Sequence, residues 1–208
     1  MLGRRTIDLP SESGWDKVEQ GVVDFEKLGD HSDSFGNVDS AFCCLGTTRG
    51  KAGKDGFIRL VNLEETICVP LLKISNRVDH DYVLESAKQL KAVNCPDFHL
   101  LSSRGASTGS MLLYPATKGR VEESVRGLGF PRLTVYRPGL LLCDRAESRP
   151  GERLARWVAS WFRQPTSWSV STKMVAAAMV STSLAPVSGS SAVLEHADIV
   201  RIAQEASL

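Results

Sequence analysis

The chain has 208 residues, of which 42% are apolar and 24% charged, with a formal net charge of +1. That is enough for one well-buried core, and it lacks the basic excess of a nucleic-acid binder. No run approaches the ~18 apolar residues of a membrane span, and no apolar stretch follows Met1-Leu2-Gly3-Arg4-Arg5 to form a secretory leader.

Cys43, Cys44, Cys68, Cys95 and Cys143 lie mostly inside apolar runs, without the paired C-x-x-C spacing of a zinc site. This usage fits a reducing intracellular compartment and no metal centre. A single domain over residues 1–208 is expected, with no internal repeat.

In chain order, a very short strand is expected around Leu2, followed by a Pro-, Ser- and Gly-rich loop from Asp8 to Asp16. Val22-Val23-Asp24 reads as the next strand, with a short helix through Leu28. Ser40 to Leu45 is an apolar run stopped by Gly46-Thr47-Thr48-Arg49-Gly50, the pattern of a strand buried on both faces. Gly46 there serves either as a plain turn residue or as a point of close backbone approach to a ligand.

Asp79 to Val93 reads as a helix, with Asp79 at its N-cap and Val83, Ala87 and Leu90 on one face. A strand from Phe98 ends at Ser102-Ser103, a helix runs from Pro115 to Leu128, and Leu133 to Arg137 forms a further strand before Pro138-Gly139. Beyond Asp144, Arg149-Pro150-Gly151 opens a helix with Leu154, Trp157, Val158 and Trp161 on one stripe. Thr172 caps a helix carrying Val175, Ala178 and Met179, Pro186 to Ser191 is a loop, and Ile199, Ile202 and Ala203 mark a last helix. The alternation predicts an α/β, doubly wound parallel sheet whose ligand lies beyond the carboxyl ends of the strands.

Three chemistry-bearing residue types converge on that end. Tyr114, Lys118, Val121, Val125 and Leu128 fall within an arc of roughly 80° on one helix. A Lys beside a Tyr on an inward stripe favours the phenolate, which is an acid/base device. Ser102 or Ser103, at the tip of a buried strand, is placed to hold a carbonyl oxygen. A Tyr and a Lys at this spacing also occur on solvated helix faces; the strand ending in Ser and the strand ending in Arg137-Pro138-Gly139 set this pair apart.

With these motifs, the chain resembles the short-chain dehydrogenase/reductase family. Val22 to Leu28, Phe42 to Gly53 and Arg137 to Arg145 are similar to its atypical branch. The resemblance implies a Rossmann-like sheet with a small C-terminal, substrate-side part over 145–208, and hydride transfer to or from a carbonyl or alcohol. It implies Tyr114 as proton donor and acceptor, Lys118 on the nicotinamide ribose, and Ser103, or Ser102, orienting substrate. Arg4 and Arg5 would hold the 2′-phosphate of NADP, where guanidinium forks suit a phosphate. Asp24 and Phe25 would flank the adenine, Leu45 and Gly46 would underlie the cofactor, Leu141 would offer backbone to the carboxamide, and Arg149 would reach the phosphates.

The same resemblance implies an alternative role as a cofactor-sensing regulator of nuclear import and apoptosis. It would then have little or no turnover, and its partners would be proteins of nuclear transport or transcription, in the cytoplasm, the nucleus or at the nuclear envelope. The family also places a strand, a Gly-rich turn and a helix ahead of Gly3-Arg4-Arg5, where this sequence opens. The expectation is therefore of a defective truncated isoform, or a truncated gene model, that lacks the pyrophosphate cradle, with cofactor binding and fold both weakened and two strand edges left unpaired. Residues 60–76 read as an insertion, whose Pro70 breaks any continuous helix or central strand.

Overall fold

The computed structural model describes residues 1–9, 15–36, 38–46, 77–142, 168–186 and 191–206. Its centre is set by the period-two pattern of two neighbouring strands. In β4 (Asp97–Leu101) Phe98 and Leu100 point to one face, and Asp97, His99 and Leu101 to the other; in β5 (Arg132–Arg137) Leu133 and Val135 oppose Arg132, Thr134 and Tyr136. The two strands pair in parallel with Asp97 beside Arg132 and Leu100 beside Val135. Strands β3 (Ser40–Cys43) and β8 (Ser191–Glu195) complete a four-stranded parallel sheet in the order β3-β4-β5-β8.

Each face is covered by helices. Val83 and Ala87 of α1 (Tyr82–Ala92) and Val121 and Val125 of α2 (Leu113–Arg126) pack on Phe98, Leu100, Leu133 and Val135. On the opposite face, α3 (Thr172–Leu184) supplies Val175, Ala178 and Met179, and α4 (His196–Glu205) supplies Ile199 and Ala203, around Tyr136 and Val170. A parallel sheet wound on both sides by helices is α/β and Rossmann-like, as the strand–helix alternation predicts.

Two further parallel pairs flank this sheet. β1 (Leu2–Gly3) pairs with β2 (Gly21–Val22), and β6 (Leu140–Leu142) with β7 (Ser169–Ser171). The β1–β2 pair is not hydrogen-bonded to β3. Between them lies an apolar groove of about 630 Å³, walled by Leu2 on one side and by Ser40 to Leu45 on the other.

Several boundaries differ from the sequence expectation. The helix expected to be capped by Asp79 starts earlier, at a π-helical turn (Arg77–Asp81), so Asp79 is an inward, fully buried residue within it. α2 begins at Leu113, which puts Pro115 inside the first turn, still among the amides without an intrahelical partner. Ser171, not Thr172, caps α3; its Oγ accepts the Met174 amide at 3.1 Å. Ser191, expected to end a loop, opens β8, which runs along β5. The helix expected beyond Arg149, Arg149 itself and the insertion at 60–76 lie outside the described residues. Among the described residues no helix is long and apolar enough to cross a membrane.

Candidate functional site

The strands of the main sheet end on one side, at Cys43, Leu101, Arg137 and Glu195. The residues of chemical interest gather there because α1 and α2 both begin beside those ends. Lys118, one helical turn into α2 from Tyr114, is only 3% exposed. Its Nζ lies 3.2 Å from Asp79 Oδ1, makes a long 3.5 Å bond to the Leu45 carbonyl, and stands 5.9 Å from the centre of the Tyr114 ring. Asp79 is fully buried, so this is an internal ion pair. Gly46 lies against the pair: a β-carbon there would stand 3.4 Å from Asp79 Oδ1 and 3.7 Å from Lys118 Nζ. The end of β3, the π turn and α2 thus meet at one ammonium.

The two serines part company. Ser102 is 6% exposed and its hydroxyl donates to Glu122, itself 2% exposed. Arg137 donates to the same carboxylate from Nε at 3.1 Å and Nη2 at 2.5 Å, and reaches Glu195 at 3.0 Å. These bonds knit α2, β4, β5 and β8 together, and the two carboxylates hold the guanidinium even more firmly protonated than a free one, with Glu122 the larger cause. Ser102 is therefore committed to structure. The Ser103 Oγ is buried and has no hydrogen-bond partner among the described residues. A buried hydroxyl of that kind is costly unless something accepts its bond.

The loop carrying Ser103 is fixed to α2. Ala106 N donates to Ser103 O at 3.2 Å, and Ser107 N to Pro115 O at 3.1 Å. Gly119 makes this possible, since a β-carbon there would lie 2.4 Å from backbone atoms of Ser107 and Thr108. The Cys43 thiol is no rival nucleophile at this end: burial pushes it up to about 11, more than its Leu45 hydrogen bond and the Lys118 charge bring it down.

The remaining expected residues fall elsewhere. Arg4 and Arg5 are exposed and follow β1, beside the end of β2, where Val23 N donates to Gly3 O at 2.9 Å. Asp24 caps a 3-10 helix, accepting from Glu26 N at 3.0 Å, and the Phe25 ring sits 5.5 Å from that of Tyr82. Phe25 and Tyr82 line a cavity of about 520 Å³ with Glu26, Lys27, Arg77 and Lys88. Leu141 lies in β6, against the second core. The structure thus joins Tyr114, Lys118, Leu45 and Gly46 in one cluster and puts Arg4, Arg5, Asp24 and Phe25 on the β1–β2 side.

Sequence reasoning missed three residues: Asp79, Glu122 and Gly119. Glu122 carried a signal, because it continues the Tyr114, Lys118 spacing by one more turn and places a carboxylate on an inward stripe.

No family model matches the chain. The rat protein HTATIP2 is 44% identical over 210 residues, covering 99% of this chain and 78% of that protein. The mitochondrial protein fmp52 of Emericella nidulans is 31% identical over 195 residues, 90% of this chain and 76% of its own. Among solved structures, MoeE5 in complex with UDP-glucose and NAD superposes with a TM-score of 0.62 over 98% of this chain and 72% of that one, at 14% identity. An ElxO variant with NADPH bound gives 0.51 over 89% and 79%, also at 14% identity. At that identity the two structures share the fold with this chain.

Proposed function

Since the chain belongs to the atypical branch of the short-chain dehydrogenase/reductase family, with rat HTATIP2 among its members, we propose that it is an NADP-dependent oxidoreductase acting between a carbonyl and an alcohol. The observation that carries this reading is the buried Lys118 ammonium, held between Asp79 and the Leu45 carbonyl beside the Tyr114 ring, at the carboxyl end of a parallel sheet.

The residues present fit the nicotinamide end of such a cofactor. Ser103 offers a buried hydroxyl with its hydrogen-bonding capacity unspent, and Gly46 keeps the surface beside Lys118 free of a side chain. That MoeE5 and ElxO are seen with NAD and NADPH on the same fold supports the choice of group.

When bound, the nicotinamide nucleotide supplies or accepts the hydride. The chain's own residues do the rest. The Tyr114 hydroxyl gives a proton to the alkoxide oxygen, or takes one from the alcohol, while the Ser103 hydroxyl holds that oxygen in place. Lys118 donates to the ribose hydroxyls and keeps a positive charge beside the phenol. Leu45 and Gly46 form the floor, and Leu141 offers backbone to the carboxamide. Asp24 and Phe25 flank the adenine, and Arg4 and Arg5, whose forks match a phosphate, select NADP over NAD. Arg149 is assigned to the phosphates on the family resemblance.

Turnover of NADPH with a panel of quinones and aldehydes tests the reading. Tyr114→Phe is expected to lower turnover by about 10²–10⁴-fold while leaving NADPH affinity within about twofold, because only the transferable proton is removed. Turnover that survives the substitution contradicts the assignment.

A further inference from the structure

The geometry points to Asp79 as a positioning residue that aims the Lys118 ammonium at the cofactor. This rests on the reading that the cluster binds a nicotinamide nucleotide, and goes beyond it by assigning a role to a residue outside the tyrosine, lysine and serine set.

A lysine ammonium has three donors on a flexible stem and no intrinsic direction. Here the stem is buried in α2, and two donors are spoken for: Asp79 Oδ1 at 3.2 Å, from the start of the first helix, and the Leu45 carbonyl at 3.5 Å, from the end of β3. With one anchor on the π turn and the other on the backbone just beyond β3, the third N–H is left to the remaining sector. Tyr114 borders it, its ring centre 5.9 Å from Nζ.

The local backbone is built around this contact. Asp79 comes from a π-helical turn, Arg77–Asp81, a widened form that recurs at functional sites. Gly46 adjoins the pair: a β-carbon there would be in ordinary contact, 3.4 Å from the Asp79 oxygen. A buried ion pair adds little net stability against a well-packed apolar substitute, so its worth here lies in direction. Remove Asp79 and the ammonium keeps one anchor, the long Leu45 bond; it then swings away from the ribose it is to hold.

A double-mutant cycle on NADPH affinity, read by calorimetry together with thermal unfolding, tests the assignment. Asp79→Ala is expected to weaken NADPH binding about tenfold. Asp79→Asn keeps an oxygen in the same place and is expected to weaken it only about threefold. In the Lys118→Met background both changes are expected to fall to less than about twofold, because Asp79 acts through Lys118. If Asp79→Ala does not fold, Asp79→Asn carries the cycle alone.

Equal weakening in the two backgrounds, or no weakening by a folded Asp79 variant, overturns the positioning role and leaves the oxidoreductase reading intact. A native chain that binds no NADPH overturns that reading and the Asp79 assignment with it.

Discussion

Ser102 and Ser103 are adjacent in sequence and equivalent in type, yet their hydroxyls have different fates. Ser102 is bonded to the buried Glu122, and Ser103 is buried without a partner among the described residues. Ser102→Ala is expected to cost about 1.5–3 kcal/mol in urea unfolding, the usual worth of a hydrogen bond to a charged group. Ser103→Ala is expected to change stability by less than about 1 kcal/mol and to lower turnover about 10²–10³-fold, as removal of a donor to the reacting oxygen does. The reverse pattern would move the substrate-orienting role to Ser102. Sequence alone could mark both as candidates at a strand end; it could not separate them, because the distinguishing partner is Glu122, on the following helix. Asp79 was obscured in another way. An Asp ahead of an apolar helical stripe reads as a cap, and only the π turn, a local register change, carries it inward.

At the scale of elements, the long periodic segments were legible and the short ones were not. α1, α2, β4 and β5 each carry enough of a 3.6 or 2.0 period to be read directly. β6 and β7 have three residues each, and β8 alternates as an edge strand with exposed residues, so their identity comes from pairing partners distant in the chain. The polar face of the main sheet was likewise hidden. Asp97 accepts from Arg132 Nε at 2.6 Å and from Ser40 at 2.8 Å, and His99 bridges Asp97 at 2.7 Å and Tyr136 at 2.9 Å, with Phe42 stacked 4.7 Å from His99.

The protonation states of this network follow. Burial drives the His99 pKa down, and Asp97 recovers only part of the loss, so the ring is neutral with its proton on the nitrogen facing the carboxylate. Its other nitrogen then accepts from Tyr136, whose hydroxyl burial pushes up to about 12. For Asp97 burial acts upward, but Arg132, Ser40 and His99 together bring it below its ordinary value. Both folded values are depressed relative to the unfolded chain. The stability His99 contributes is therefore fully present above its unfolded value of 6.5 and is lost as pH falls through the lower folded value. The Asp97 share is lost only below 3.8. Urea midpoints are expected to fall between about pH 7 and pH 5, and His99→Gln is expected to flatten that slope. An unchanged slope in the variant would place the sensitivity elsewhere.

Over the whole molecule, the proposed site is divided between two bodies of structure. Arg4, Arg5, Asp24 and Phe25 belong to the β1–β2 side, whereas Leu45, Gly46, Tyr114 and Lys118 belong to the four-stranded sheet. Among the described residues no strand hydrogen bonds connect the two sheets; Val23, Leu28 and Phe35 pack with Leu90 of α1 and Val93 at its C-cap and hold them in place. The strand–helix alternation made the parallel sense of the sheet readable, whereas the order β3-β4-β5-β8 comes from pairings between distant segments. How Lys118 is held depends on side chains from three elements, and that was readable only once they were folded together. A ligand that reaches from Lys118 to Arg4 and Arg5 has to bridge the two bodies, and so is expected to stabilise their arrangement.

The measurement that bears most directly on this account is a calorimetric titration of NADPH into the whole chain and into Lys118→Met, with thermal unfolding of both. The account predicts saturable binding at one site by the native chain, a raised unfolding temperature with NADPH, and at least about tenfold weaker binding in the variant. A folded native chain that shows no saturable binding, or a Lys118→Met chain that binds as tightly as the native one, would contradict it.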